Sequence, residues 1–165
     1  MLPSSSPSVE GQSSEQHRAV LLCQVGATVC ALPLEHVSET MRPLPFEAIS
    51  GTAPFVVGVS IIRGGPVPIV DLAQLLGNAT DEPRNRLVSI RVGERSVALS
   101  VGRVIGVRSL ESSALRELPP LLGAAGAEVI TLVGSLDARL LLVLETSRML
   151  PDSSWASLEV SGAQA

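Results

Sequence analysis

The chain has 165 residues and a mass of 17.2 kDa, which gives room for one domain or for two small lobes sharing a core. Hydrophobic residues make up 45% and charged residues 17%, which excludes a disordered chain; the longest apolar runs, such as Leu140–Leu144, fall far short of the roughly 18–20 residues of a membrane-spanning helix. Net charge is −4, the 12 cationic residues are all arginines scattered along the chain, and aromatics are 2%, so neither a nucleic-acid partner nor membrane insertion is expected.

Residues 1–17 are rich in Ser, Pro and Gly, with no apolar segment of the kind a signal peptide carries, and are expected to form a disordered tail. The first strands follow at Val20–Val25 and Val29–Leu32. A turn at Gly26-Ala27 would set Cys23 opposite Cys30, and two cysteines are too few for a disulfide scaffold, so both read as small core residues in a reducing cytoplasm. His36 lies in a polar stretch beside Glu35 and reads as a surface histidine. Val56–Ile62 and Val67–Val70 flank a tight turn at Arg63-Gly64-Gly65, with Pro66 and Pro68 placing the second strand at an edge or a bulge. Asp71 then caps a short helix to Leu76 that stops at Gly77.

After a candidate linker at 79–85, strands are expected at Leu87–Val92, Ser96–Val101 and Val104–Val107, and a helical turn or two within Ser112–Leu118. Val129–Gly134 and Leu140–Leu144 complete the strands, Glu145–Leu150 resembles the Asp71 helix, and 151–165 is a second tail in which Trp155 could pin a last turn onto the body. Many short strands with few helices predict a mainly β protein built of small barrels.

An internal repeat sharpens this. Val25–Val37 lies over Val92–Val104 without a gap, 67 positions apart, with Val, Gly, Ala and Leu matching in place. The acidic-capped segment at Asp71 recurs 74 positions later at Glu145. Two units of hairpin, strands and short helix predict two similar lobes, at about 18–80 and 86–150.

Catalytic patterns are absent from the sequence. There is no Cys-x-x-Cys pair, P-loop, dinucleotide fingerprint or nucleophile elbow, and there is no lysine for Schiff-base chemistry. No enzyme, metal or cofactor is expected, and the profile is that of a binding or scaffolding module. The competing readings are a small-ligand β-barrel and an unrecognised enzyme, either of which would need an enclosed pocket with convergent polar groups.

The most informative stretch is Phe55–Leu72, FVVGVSIIRGGPVPIVDL. It resembles the CheW-like domain, with its pattern Gly-Val-x-Asn-Leu-Arg-Gly-x-x-x-Pro-Val-x-Asp-Leu, and the resemblance runs over about residues 18–150, from the first hairpin and Val37-Ser38-Glu39 to the closing Leu136-Asp137-Ala138-Arg139 hairpin. It implies two five-stranded SH3/OB-like β-barrel lobes and a non-catalytic, cytoplasmic adaptor of bacterial chemosensory arrays. The implied partners are the cytoplasmic tip of a methyl-accepting chemoreceptor and the regulatory domain of a CheA-type histidine kinase. By position, Val37, Glu39, Ile61, Arg63 and Gly64 would form the partner-binding surface, with Arg63 orienting Glu39 and Val37 giving an apolar contact. The chain departs from the family pattern at Ile61 and Ile62 in place of Asn-Leu, at Gly102 where Asp often follows Val, and at Ala138 in place of Gly. These departures also suit a divergent relative that binds only one partner, as an insulator or inhibitor of a secondary pathway.

Overall fold

A computed structural model of the chain describes residues 16–77, 81–117 and 129–149, together with Trp155. The apolar runs become strands: β1 (His17–Val25), β2 (Thr28–Pro33), β3 (Val37–Met41), β4 (Val56–Ile62), β5 (Gly65–Asp71), β6 (Arg86–Val92), β7 (Arg95–Val101), β8 (Arg103–Glu111), β9 (Arg116–Glu117), β10 (Ile130–Leu136) and β11 (Arg139–Leu144). The one-turn helix α1 (Leu72–Leu75) follows β5, and 3-10 turns occupy Leu34–His36, Ser112–Ala114 and Thr146–Arg148. The strands form a six-stranded sheet in the order β8-β1-β2-β11-β10-β9 and a five-stranded sheet in the order β3-β6-β7-β5-β4.

Both sheets use one template. The hairpin β1–β2 matches β6–β7, β3 matches β8, and β4–β5 match β10–β11. Within each sheet the hairpin is flanked on one side by a third strand running antiparallel and on the other by a last strand running parallel, β11 on β2 and β5 on β7. The repeat expected from the sequence is therefore present, but the expected lobes at 18–80 and 86–150 are not how the strands pair. Each hairpin is completed by the other repeat: β3 pairs with β6 through Val37↔Ile90, and β8 pairs with β1 through Val107↔Leu21.

Burial explains why the hairpins stack. The hairpin strands are apolar on both faces, so each must be covered twice. Leu21, Cys23, Cys30 and Leu32 on one hairpin and Val88, Ile90, Val97 and Leu99 on the other belong to one large cluster shared by the two sheets. The opposite face of β1–β2, with Val20, Leu22, Val29 and Ala31, packs on Leu141 and Val143 inside the six-stranded lobe. The opposite face of β6–β7, with Leu87 and Ala98, packs on Val67 and Ile69 inside the five-stranded lobe. Each fully buried Leu or Ile stabilises by roughly 1.5–3 kcal/mol, so most of the core energy lies between the lobes, where only a single folded body can collect it.

Several local expectations change. β3 has the sequence Val-Ser-Glu-Thr-Met, too polar to stand out as a strand, yet it alternates half-buried and exposed residues as an edge strand should. His17, expected in the tail, begins β1 opposite Glu111. Ser112–Leu118 gives a 3-10 turn and the short β9 rather than a helix, and the Glu145 segment gives a 3-10 turn. His36 is tied down: its Nδ1 lies 2.7 Å from the hydroxyl of buried Thr146. Asp71 caps α1 as expected, accepting from the Ala73 N–H at 3.1 Å. Pro66 and Pro68 lie inside the sheet, between β4 and β7, but ahead of Ile69, where pairing with β7 begins, so neither breaks a ladder bond. Residues 1–15, the 118–128 segment and all of 151–165 except Trp155 lie outside the described residues, and with them the expected tails.

Candidate functional site

The β4–β5 hairpin turns over two residues, Arg63 and Gly64, between the paired Ile62 and Gly65. Both have positive φ, 51° and 80°, which is the I′ geometry whose twist matches that of the strands. Gly64 adopts it freely, whereas Arg63 is held there against the clash of its own Cβ. What holds Arg63 lies on β3. Its Nε donates to Glu39 Oε1 at 2.8 Å and its Nη2 to Oε2 at 2.7 Å, a two-pronged pairing that fixes both side chains. A β-bulge between Val37 and Glu39 sits where β3 delivers the carboxylate.

The pair faces outward, with the Arg63 side chain 79% and the Glu39 side chain 27% exposed. The hydrogen bonds from Arg63 hold the Glu39 carboxyl below its ordinary value, and the Glu39 carboxylate in turn raises Arg63. Glu39 is therefore ionised, and the corner presents a fixed ion pair rather than a free charge.

Of the other residues expected here, Ile61 is 66% exposed on β4, and a side chain on Gly64 would meet open space. Val37 is half-buried and packs against the shared core, so it presents only part of its surface. The structure also brings in Phe46, which the sequence reading passed over. Phe46 is 50% exposed and lies over Gly58, where a Cβ would come within 2.6 Å of its ring and 2.4 Å of the Glu47 carbonyl. The segment is fastened to β4 by a pair of 2.9 Å backbone bonds between Glu47 and Val59 and by the Ser60 hydroxyl donating to the Pro45 carbonyl at 2.8 Å. The sequence signal was present: Phe46 is one of two phenylalanines and directly follows a proline.

Elsewhere the ionisable groups are structural. Cys23 and Cys30 are paired across β1–β2, buried and free, and burial pushes both thiols up to about 12. They are inert small core residues. Among the described residues no three His, Cys, Asp or Glu side chains gather as a metal site, and no helix is long and apolar enough to cross a membrane. Among the described residues the most buried charge is Asp71, whose second oxygen meets the guanidinium of Arg84. Asp71 was read from the sequence as a cap, but nothing there marked Arg84 as its partner.

Comparison with known proteins agrees with this architecture. Residues 19–154 match the family model of the CheW-like domain. Chemotaxis protein CheW of Klebsiella aerogenes is 29% identical over 114 residues, 67% of this chain and 68% of the relative. Protein FrzA of Myxococcus xanthus is 32% identical over 107 residues, 64% of this chain and 66% of FrzA, and chemotaxis protein CheW of Thermotoga maritima is 25% identical over 134 residues, 81% of this chain and 87% of the relative. The crystal structure of the scaffolding protein TtCheW from Thermoanaerobacter tengcongensis superposes with a TM-score of 0.73, covering 83% of this chain and 94% of that one at 16% identity, a likeness of fold. With its two exchanged lobes and a family model spanning most of its length, the chain belongs to the CheW-like domain family.

Proposed function

We propose that this protein is a non-catalytic, cytoplasmic adaptor that couples the tip of a methyl-accepting chemoreceptor to the CheW-like regulatory domain of a CheA-type histidine kinase. The observation that carries the reading is the outward corner at which Arg63, in a left-handed turn, is locked onto Glu39. A solvent-facing ion pair contributes little to folding, so this one is better explained by what it presents. Exposed Ile61 precedes Arg63 by two residues and Val37 precedes Glu39 by two, placing apolar surface next to the fixed charges. A partner helix would lay its apolar residues there and exclude water, and the Glu39–Arg63 pair would then gain strength and set the register of docking. The mechanism is geometric: the adaptor is a rigid body whose surfaces hold two partners at a fixed spacing.

The test is co-sedimentation of the purified protein with receptor-containing membranes and, separately, with the kinase. Arg63→Ala is expected to weaken binding about tenfold or more while leaving Tm nearly unchanged, because the side chain is exposed. Wild-type binding to both partners supports the coupling role, and binding to one alone makes the protein an insulator or inhibitor. Unchanged binding by Arg63→Ala removes the corner from the site.

A further inference from the structure

The two lobes exchange strands, so the chain must cross from one to the other, and one crossing carries an unusual density of polar contacts. At the end of β7 the Gly102 N–H donates to the Gln24 carbonyl of β1 at 3.0 Å, and a Cβ on Gly102 would lie 2.9 Å from that oxygen. Arg103, the first residue of β8, donates through Nε to Gln24 Oε1 at 2.9 Å, and Gln24 Nε2 donates to the Gly26 carbonyl at 3.1 Å. The crossing is thus backbone against backbone, with no side chain between.

The segment that enters β6 lies against this point. Its Asn85 N–H donates to the Val101 carbonyl at 3.1 Å, and the Pro83 carbonyl stands 3.9 Å from where a Gly102 Cβ would be. Between those two residues, Arg84 reaches inward from a side chain 38% exposed to the wholly buried carboxylate of Asp71. Asp71 is spoken for on both oxygens, Oδ1 by the Ala73 N–H and Oδ2 by Arg84. A buried carboxylate without its cation is strongly unfavourable, so Asp71 pulls the guanidinium, and with it Pro83 and Asn85, down onto the crossing.

We propose that Arg84 is a positioning residue for the inter-lobe crossing: its ion pair with Asp71 clamps residues 83–85 across the Gly102–Gln24 junction and keeps it closed. This is independent of what binds at the Arg63 corner. The matching positions in the other repeat hold Glu145, whose carboxylate accepts from Ser147 at 3.0 Å, and His17, which faces Glu111, so the clamp exists on one side of the molecule only.

Amide hydrogen exchange on the full chain tests it. In Arg84→Ala the amides of Gly102, Asn85 and Ala73 are expected to exchange about tenfold faster or more, while those of Leu142 and Val143 in the six-stranded sheet keep their protection. Arg84→Lys returns the charge without the planar fork and should show the same pattern at smaller amplitude; it carries the test if the alanine variant does not fold. Unchanged exchange at Gly102, equal acceleration throughout both sheets, or a lysine variant as fast as the alanine variant would each overturn the clamp.

Discussion

The two lobes share one strand order but differ at their corners. Where the five-stranded lobe carries Glu39 and the turn Arg63-Gly64, the six-stranded lobe carries Gly106 and the turn Asp137-Ala138 at the matching positions. Both turns have two residues of positive φ, 51° and 80° in one and 50° and 62° in the other. Only the first is equipped with a bidentate ion pair, and only the first has a glycine at the second position. The strand order is therefore common to both repeats and the ion-paired corner is not: the surface on which the proposed docking rests occurs in one copy of a duplicated fold.

The comparison can be broken most severely in the shared core. Leu99 on β7 is fully buried in the cluster between the lobes. Leu99→Ala is expected to cost about 3–5 kcal/mol. Because the cluster belongs to both sheets, urea unfolding should remain a single transition, with circular dichroism and Trp155 fluorescence coinciding. Two separated transitions would show lobes that fold independently.

A smaller change sharpens the contrast of the corners. Ala138 sits at φ 62°, where a Cβ is strained, and Gly64 fills the equivalent place in the other lobe. Ala138→Gly should stabilise by about 0.5–1 kcal/mol, the relieved strain exceeding the extra chain entropy, and raise Tm by about 2 °C. A lower Tm would mean that the turn is not held in the left-handed region.

A third test is pH. Cys23 and Cys30 lie on the six-stranded sheet but face the shared core, and burial raises both thiols to about 12. A folded value above the unfolded one of about 8.5 means that stability is fully present below that pH and falls as pH rises toward 12. The chain has no lysine and no tyrosine, so apart from the chain's amino terminus the thiols are the groups that titrate in this window. The urea midpoint should be flat to about pH 8 and decline above it, and Cys30→Ala should decline less steeply. An equal decline in both proteins would place the thiols in contact with water.

Much of this was legible in the residues. The β1–β2 turn set Cys23 opposite Cys30, as the register confirms, and Asp71 was recognisable as a cap from its place between an apolar strand and a Leu-rich turn. Arg63 was marked by its glycine neighbours. Phe46 was marked only as a rare aromatic after a proline and Arg84 not at all, and the contacts of neither were legible, because their partners, Gly58 and Asp71, lie 12 and 13 positions away in the chain and no local pattern links them. β3 was hidden for another reason: its outward face is polar, and its strand character comes from pairing with β6.

The amino-acid sequence by itself determined the apolar strands, the turns and the duplication, since these follow from apolar periodicity, glycine placement and residue-by-residue echo, but not the polar edge strands β3 and β9. It could not decide which repeat's third strand would complete which hairpin. Pairings within one repeat and pairings exchanged between repeats satisfy the same backbone hydrogen bonds and the same side-chain pattern. The choice falls to the tertiary structure, in which the two doubly apolar hairpins stack against each other and share one large cluster while each takes its third strand from the other repeat.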